Sequence, residues 1–204
     1  MNFEPNLTKK RLLAGLFVAM SLTLVTNSFG QIVQPEDYDH DLAVASPTSL
    51  YFFSEQGDFI GQGREYYDES FVSLTVSSTL VDFRTQDWTV LFESIEGEVL
   101  EPGFYSGATR YPFNDPTEPG LSIFGQGRGC NQLGGQFEIF EFSMNGPTLD
   151  SLDIEFAQYC ENESGMGTPA LFGRIRWNAT VPEPAGLPTL LVLFVCVLPW
   201  LRRR

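Results

Sequence analysis

The feature that most constrains this chain is the repeated interruption of short apolar runs between residues 49 and 180. Glycine, proline, asparagine or aspartate breaks these runs about every 8–12 residues. No stretch in this range keeps an apolar period of 3.6 residues long enough to indicate a helix. Short strands joined by turns produce this spacing. The sequence therefore predicts one all-β domain over residues 49–180.

Alternation of side chains locates the strands. Leu152, Ile154 and Phe156 alternate with polar or small residues, which predicts a strand with one buried and one solvated face. The apolar phase shifts between Ile139 and Phe140, which predicts a β-bulge or a strand covered on both faces. About eight strands in two layers favour an antiparallel β-sandwich or jelly roll. The predicted strands are 71–83 (two strands, or one bent strand), 88–92, 121–124, 136–143, 148–159 and 170–177.

The N-terminal 30 residues have the organisation of a secretory signal peptide. Lys9, Lys10 and Arg11 precede an apolar run over residues 12–25, and small residues lie just before a cut after Gly30. The apolar side chains of this run surround a helix rather than forming one stripe, which disfavours an amphipathic helix. The sequence predicts export, with residues 1–30 removed as a signal peptide.

Charge is distributed unevenly along the chain. Residues 31–181 contain 24 acidic and six basic residues and no lysine, which gives a formal net charge of −18. Such a field repels nucleic acid and anionic lipid headgroups. We therefore expect no nucleic-acid partner, and the acidic surface serves solubility or suits surroundings rich in divalent cations.

Export makes two cysteines candidates for a disulfide. If ranges 136–143 and 152–159 form a hairpin that turns at Asn145–Pro147, Cys160 lies opposite Gly134 and Cys130 is only a short loop away. A bridge between Cys130 and Cys160 would stabilise the fold by about 3–4 kcal/mol in the chain-entropy model. A reactive or metal-binding cysteine pair is the alternative.

Histidine chemistry is nearly absent from this chain. The only histidine, His40, precedes the predicted domain. The domain therefore has no imidazole for a Ser-His-Asp, Cys-His or imidazole-zinc site. A glycoside hydrolase needs only two carboxylates across a cleft, and it stays open as an alternative. The carboxylates at alternating strand positions are nevertheless expected on solvated faces, and we predict a protein that is not an enzyme. They are Glu138, Glu141, Asp153 and Glu155.

The segment Glu101–Gly120 is rich in proline, glycine and aromatic residues. One interpretation is an ordered loop whose rings pack on the sheet. The other is a sugar-binding platform, since aromatic rings stack on pyranose faces while polar groups bind hydroxyls. The candidate carbohydrate-binding residues are Phe104, Tyr105, Arg110, Tyr111 and Phe113, with Asn114 and Asp115 as further hydroxyl-binding groups.

Residues 31–48 form an acidic, proline-bounded lead-in that we expect to be mobile. Asp37, Asp39 and Asp41 stand at alternate positions, and hard cations prefer such oxygen ligands. These residues are the candidate metal ligands, with Ca²⁺ as the ion. A calcium-dependent adhesion module is therefore one alternative function, although the pattern does not match a helix-loop-helix calcium site.

The last two dozen residues carry three elements in order. Val181-Pro182-Glu183-Pro184 is followed by an apolar run over residues 187–201 and by Arg202, Arg203 and Arg204. This order resembles the PEP-CTERM sorting signal of bacterial surface proteins. The resemblance implies a short transmembrane helix at 187–201, processing by an exosortase, and delivery to the cell surface or extracellular matrix. It also implies an association with exopolysaccharide.

The middle of the chain resembles an uncharacterised β-rich domain of secreted bacterial proteins. The resemblance rests on the segments SEQGDFIGQG, GRGCN, FAQYCE and PALFGRIR, which begin at residues 54, 127, 156 and 169. It implies the fold and a disulfide between Cys130 and Cys160, and it implies no activity. Taken together, the sequence predicts an exported, non-enzymatic surface or matrix protein with a structural or carbohydrate-binding β domain.

Overall fold

The computed structural model describes residues 31–162 and 169–182. Within them the regular secondary structure is almost all β-strand, with one four-residue helix, which confirms the predicted all-β class. The elements are α1 (His40–Ala43), β1 (Ser49–Ser54), β2 (Glu65–Asp68), β3 (Phe71–Val76), β4 (Leu80–Thr85), β5 (Trp88–Glu93), β6 (Gly103–Arg110), β7 (Gly120–Gly125), β8 (Leu133–Asn145), β9 (Thr148–Cys160) and β10 (Leu171–Trp177).

The ten strands form one continuous sheet in the order β2-β1-β10-β9-β8-β6-β7-β5-β4-β3. The predicted antiparallel sandwich or jelly roll would consist of two sheet layers whose strands are all antiparallel. Here β6 and β7 run parallel, with Thr109 opposite Gly120 and Arg110 opposite Leu121. Strand β6 lies in a segment that was predicted as a loop.

The sheet curls because its two edge strands are neighbours in sequence. Strand β2 ends at Asp68 and β3 begins at Phe71, so two residues join the opposite ends of the sheet order. Side chains from distant strands meet inside the curl, where the ring centroids of Phe52 and Trp88 are 4.9 Å apart. The concave face therefore holds one core to which strands from both halves of the sheet contribute.

Strands β8 and β9 form the longest hairpin and carry the predicted irregularity. Ile139 pairs with Ile154, whereas Glu141 pairs with Asp153, so Phe140 is the extra residue of a bulge. The prediction of a bulge at this point is confirmed. The predicted register is wrong by one residue near the cysteine, because Cys160 lies opposite Leu133 rather than Gly134.

Residues 31–48 pack against the outer face of the sheet instead of forming a mobile lead-in. Ile32, Tyr38 and Ala43 are buried in a second apolar cluster with residues of β1, β9 and β10. This cover explains why β9 is buried on both faces from Ser151 to Gln158. The prediction of one solvated face for this strand is therefore wrong.

The predicted signal peptide, and the sorting residues from Glu183 onward, lie outside the described residues. Val181 and Pro182 are described and exposed. In residues 31–162 and 169–182 there is no helix long and apolar enough to cross a bilayer.

Candidate functional site

A cleft of about 450 Å³ lies on the convex side of the sheet, where β5 and β7 meet the loops that follow β6 and β7. Leu91 and Ser122 form part of its floor, and their strand neighbours point the other way into the core. The volume lies within the roughly 300–1,000 Å³ of typical ligand sites. The lining residues are Leu91, Arg110, Tyr111, Pro112, Ser122, Phe124, Gly125, Gly127, Arg128, Gly129 and Cys130.

A tight turn after β7 brings one arginine to the cleft. Gln126 and Gly127 both have positive φ, 48° and 75°, and the chain reverses so that Gly125 and Arg128 exchange two backbone hydrogen bonds. Gly125 is required here, because a Cβ would overlap the carbonyl oxygen of Asp87 and the indole of Trp88. The turn therefore fixes the backbone position of Arg128 at the edge of the cleft.

Backbone carbonyls hold the two cleft arginines. Arg128 donates through Nε to the carbonyl oxygen of Ile60 at 2.7 Å, and its Nη2 donates to the Gln126 side chain at 3.0 Å. Arg110 donates through Nη1 to the carbonyl oxygen of Asn131 at 3.0 Å. These bonds use only some of the five N–H donors of each guanidinium group.

The disulfide fixes the back of the cleft. Cys130, which lines it, is bonded to Cys160 at the end of β9, and this confirms the predicted bridge. Gln158 is fully buried beside the bridge and exchanges two hydrogen bonds with the backbone of Ile123, at 2.7 and 3.0 Å. The loop that carries Arg128 is thus covalently tied to β9, and the buried Gln158 amide joins β9 to β7, the strand that precedes this loop.

The charge of the cleft is opposite to that of the domain. Its described lining contains two arginines and no carboxylate. The ion pairs among the described residues involve other arginines: Arg84 with Asp82, and Arg174 and Arg176 with Asp153. The cleft is therefore a basic site in a strongly acidic protein.

The structure brings together only part of the predicted sugar platform. Arg110 and Tyr111 line the cleft, and Phe113 lies beside it, with its ring 4.9 Å from the Arg110 guanidinium carbon. Tyr105 instead stacks on Phe137 at 4.5 Å in the core, and its hydroxyl donates to the carbonyl oxygen of Glu101. Phe104 packs against the second apolar cluster, on the face of the sheet opposite to Tyr105.

Three candidate ligand-binding groups of the cleft were missed by sequence reasoning, and one of them is Ser122 on its floor. Phe124 is 39% exposed on β7, and Arg128 comes from the turn that follows it. The signal for Arg128 was present in the Gly-Gln-Gly-Arg-Gly segment, whose glycines indicate a turn that presents its one charged residue. Asn114 binds Glu93 and the carbonyl oxygen of Glu118, and Asp115 caps its own turn at Thr117.

The candidate calcium ligands do not converge. Asp39 caps α1 by accepting a hydrogen bond from the Leu42 N–H at 2.9 Å. In the two described ranges, no group of three or more histidine, cysteine, aspartate or glutamate residues, including Asp37 and Asp41, is placed to hold a metal ion.

Two of the strand carboxylates are buried away from the cleft. Asp153 and Glu155 are 5% and 6% exposed beneath residues 31–48, so their predicted placement on a solvated face is wrong. Asp153 binds Arg174 at 2.6 Å and Arg176 at 3.2 Å. Burial raises the pKa of Glu155 to about 7, although the charge of Arg174 acts in the opposite direction.

The remaining two strand carboxylates also lie outside the cleft. Partial burial raises the pKa of Glu138. Hydrogen bonds from the Ser151 side chain and from the Thr180 N–H lower the pKa of Glu141. The cleft itself presents arginine, aromatic and hydroxyl groups, which suit binding and orientation of a polar ligand.

No known protein family, curated protein or solved structure matches this chain.

Proposed function

We propose that this chain is an exported cell-surface or extracellular-matrix protein whose β domain binds carbohydrate in the cleft. The observation that carries the proposal is the lining itself: Tyr111 and Phe124 offer rings, while Arg110, Arg128 and Ser122 offer hydrogen-bond donors. Carbohydrate sites combine aromatic surfaces for the sugar ring with polar groups for the hydroxyls.

The resemblance of the ends supports the location. A signal peptide over residues 1–30 and a PEP-CTERM tail over 181–204 imply export, membrane tethering through residues 187–201 and processing by an exosortase. Proteins with such tails are associated with exopolysaccharide, which is the ligand that we propose. The disulfide is consistent with an oxidising compartment.

Co-sedimentation with exopolysaccharide from the source cells tests the binding function. The full chain should sediment saturably. Tyr111→Ala or Phe124→Ala should raise the polysaccharide concentration needed for half-saturation by about tenfold, since loss of a stacking ring removes about 1 kcal/mol or more of binding free energy. Phe140→Ala is the matched control, because Phe140 is 45% exposed but lies over Arg174, away from the cleft.

The same assay separates the alternatives. Binding that requires added Ca²⁺ would favour a calcium-dependent adhesion module, and shortening of the polysaccharide during incubation would favour a glycoside hydrolase. Failure to sediment with or without Ca²⁺ would contradict the binding function and leave a structural component of the envelope or matrix.

A further inference from the structure

We propose that the cleft selects a sugar residue that carries a carboxylate, a uronic acid, and that Arg110 and Arg128 bind this group. The inference rests on the proposed carbohydrate-binding function and names the ligand class of the same site. Its starting observation is that two of the six arginines between residues 31 and 181 line one cleft with no carboxylate in its described lining.

Three arginines outside the cleft are paired with aspartate side chains. Arg84 is paired with Asp82 at 2.7 Å, and Arg174 and Arg176 share Asp153. Between residues 31 and 181 there are four acidic residues for every basic one, so a carboxylate partner is easy to supply.

The lining of the cleft contains no carboxylate. Arg128 does interact electrostatically with the buried carboxyl of Asp58, but that carboxyl accepts its hydrogen bonds from Ser54 and the Gly61 N–H. A hydrogen-bonded anionic partner for the two cleft arginines is therefore expected to come from a ligand.

The arginines are held in advance of binding. One bond from Arg110 to the Asn131 carbonyl and two bonds from Arg128 restrict both side chains. Each keeps N–H donors that these bonds do not use, and guanidinium groups bind carboxylates through two parallel hydrogen bonds. Little side-chain entropy is then lost when the ligand binds.

The rest of the lining accounts for the sugar ring. Tyr111 and Phe124 supply aromatic surface, and Ser122 supplies a hydroxyl group. A free inorganic anion would make no use of these rings, whereas a uronic acid uses the rings for its pyranose faces and the arginines for its carboxylate.

The charge of the domain limits the kind of acidic glycan. Twenty-four acidic residues between residues 31 and 181 repel a long, uniformly charged polyanion. The arrangement therefore fits an acidic residue within a mostly neutral polysaccharide, where one carboxylate enters the cleft and neutral sugars cross the acidic surface.

Calorimetric titration of the full chain with digalacturonate and with its fully methyl-esterified form tests the inference. The two disaccharides share one backbone and differ in charge. We expect digalacturonate to bind about 10- to 100-fold more tightly, the range that a charge-assisted hydrogen bond provides. Equal affinities would overturn the inference while leaving the proposed function in place.

Variants locate the effect. Arg110→Gln and Arg128→Gln should each reduce digalacturonate affinity by about tenfold and reduce affinity for the ester, which has no carboxylate to bind, by clearly less. Arg84→Gln, which removes a charge paired with Asp82, is the matched control. If a cleft variant fails to fold, the comparison of the two sugars on the unaltered chain still decides the matter.

The outcomes for the two proposals are distinguishable. If neither disaccharide binds, the inference is wrong, and the proposed function is then judged by sedimentation with exopolysaccharide alone. If exopolysaccharide also fails to bind, both are wrong.

Discussion

Two pairs of arginines in this protein have opposite surroundings. Arg174 and Arg176 lie on β10 beneath residues 31–48, where both are paired with Asp153 and Arg176 is fully buried. Arg110 and Arg128 lie in the cleft, half-buried, with backbone carbonyls and an amide side chain as their partners.

The difference separates arginines that hold the fold from arginines available to a ligand. Arg176 donates to the carbonyl oxygens of Val44, Ser46 and Thr180, so one side chain ties the N-terminal segment and the end of the domain to the sheet. The cleft arginines have incomplete sets of partners at a concave surface. We therefore expect substitutions at the first pair to reduce stability and those at the second to reduce binding.

The largest effect is expected for Arg176→Met. Removal of the guanidinium group leaves Asp153 short of a partner and three carbonyl oxygens without their donor, so the free energy of unfolding should fall by about 3–5 kcal/mol. Denaturant unfolding followed by tryptophan fluorescence measures this change. Arg84→Met, at a pair whose arginine is half exposed, should change stability by less than about 1 kcal/mol. A similar loss in both variants would contradict the comparison.

Loss of the disulfide should have the next largest effect. The double variant Cys130→Ser/Cys160→Ser opens a loop with a sequence separation of 30, and the chain-entropy model assigns about 3–4 kcal/mol to its closure. Urea unfolding of the variant and of the oxidised chain measures the difference. The variant should also lose affinity for exopolysaccharide, because the bridge fixes the cleft loop. Unchanged binding in a folded variant would show that the bridge does not organise the cleft.

The buried carboxylate beneath the N-terminal segment should make stability depend on pH. The pKa of Glu155 is raised by burial to about 7, above its ordinary value of 4.5, so its contribution is complete below pH 4.5 and is lost as pH rises through 7. The groups that face it are Tyr38, Glu138, Asp153 and Arg174.

Glu155→Gln isolates this contribution. The unaltered chain should lose up to about 3 kcal/mol of stability from this group between pH 5 and pH 8, whereas the variant should lack that part of the profile. Chemical unfolding at several pH values gives both curves. Identical pH profiles for the two proteins would show that the carboxyl of Glu155 does not titrate in this window.

The smallest effect on stability is expected at the cleft. Arg128→Gln removes a hydrogen bond to the Ile60 carbonyl and should lower the free energy of unfolding by about 1 kcal/mol, while Tyr111→Ala, at a half-buried surface position, should have a comparable effect. The same unfolding assay applies. A loss as large as that of Arg176→Met would place these residues among those that hold the fold.

Local patterns in the sequence predict much of the sheet. Alternation at Leu152, Ile154 and Phe156 locates β9, and the phase shift at Phe140 locates the bulge, because both are properties of consecutive residues in one strand. The hairpin between β8 and β9 places Cys160 within one residue of its observed register, since a short turn fixes the pairing.

What the sequence does not reveal depends on contacts between distant segments. Asp153 and Glu155 have the alternation of a solvated face, and only the packing of residues 31–48 against β9 and β10 buries them. A signal existed in Arg174 and Arg176, which lie opposite Glu155 and Asp153 in the sheet, but it requires the pairing of β9 with β10.

The sugar platform was only partly predictable for a similar reason. Phe104 and Tyr105 are consecutive residues of β6, so their side chains point to opposite faces and cannot share one surface. Glycine and serine weaken the strand pattern of β6, which conceals this alternation in the sequence. Phe124 and Arg128 join the cleft through the fold and the turn after β7.

The most direct test of the account is amide NMR of the full chain titrated with oligosaccharides from partial hydrolysis of the source exopolysaccharide. Carbohydrate binding in the cleft predicts saturable shifts for Gly127, Arg128 and Gly129, with little change at Ala43, which is buried in the second apolar cluster. Absence of any shift, or shifts confined to residues 31–48, would contradict the assignment of carbohydrate binding to this cleft.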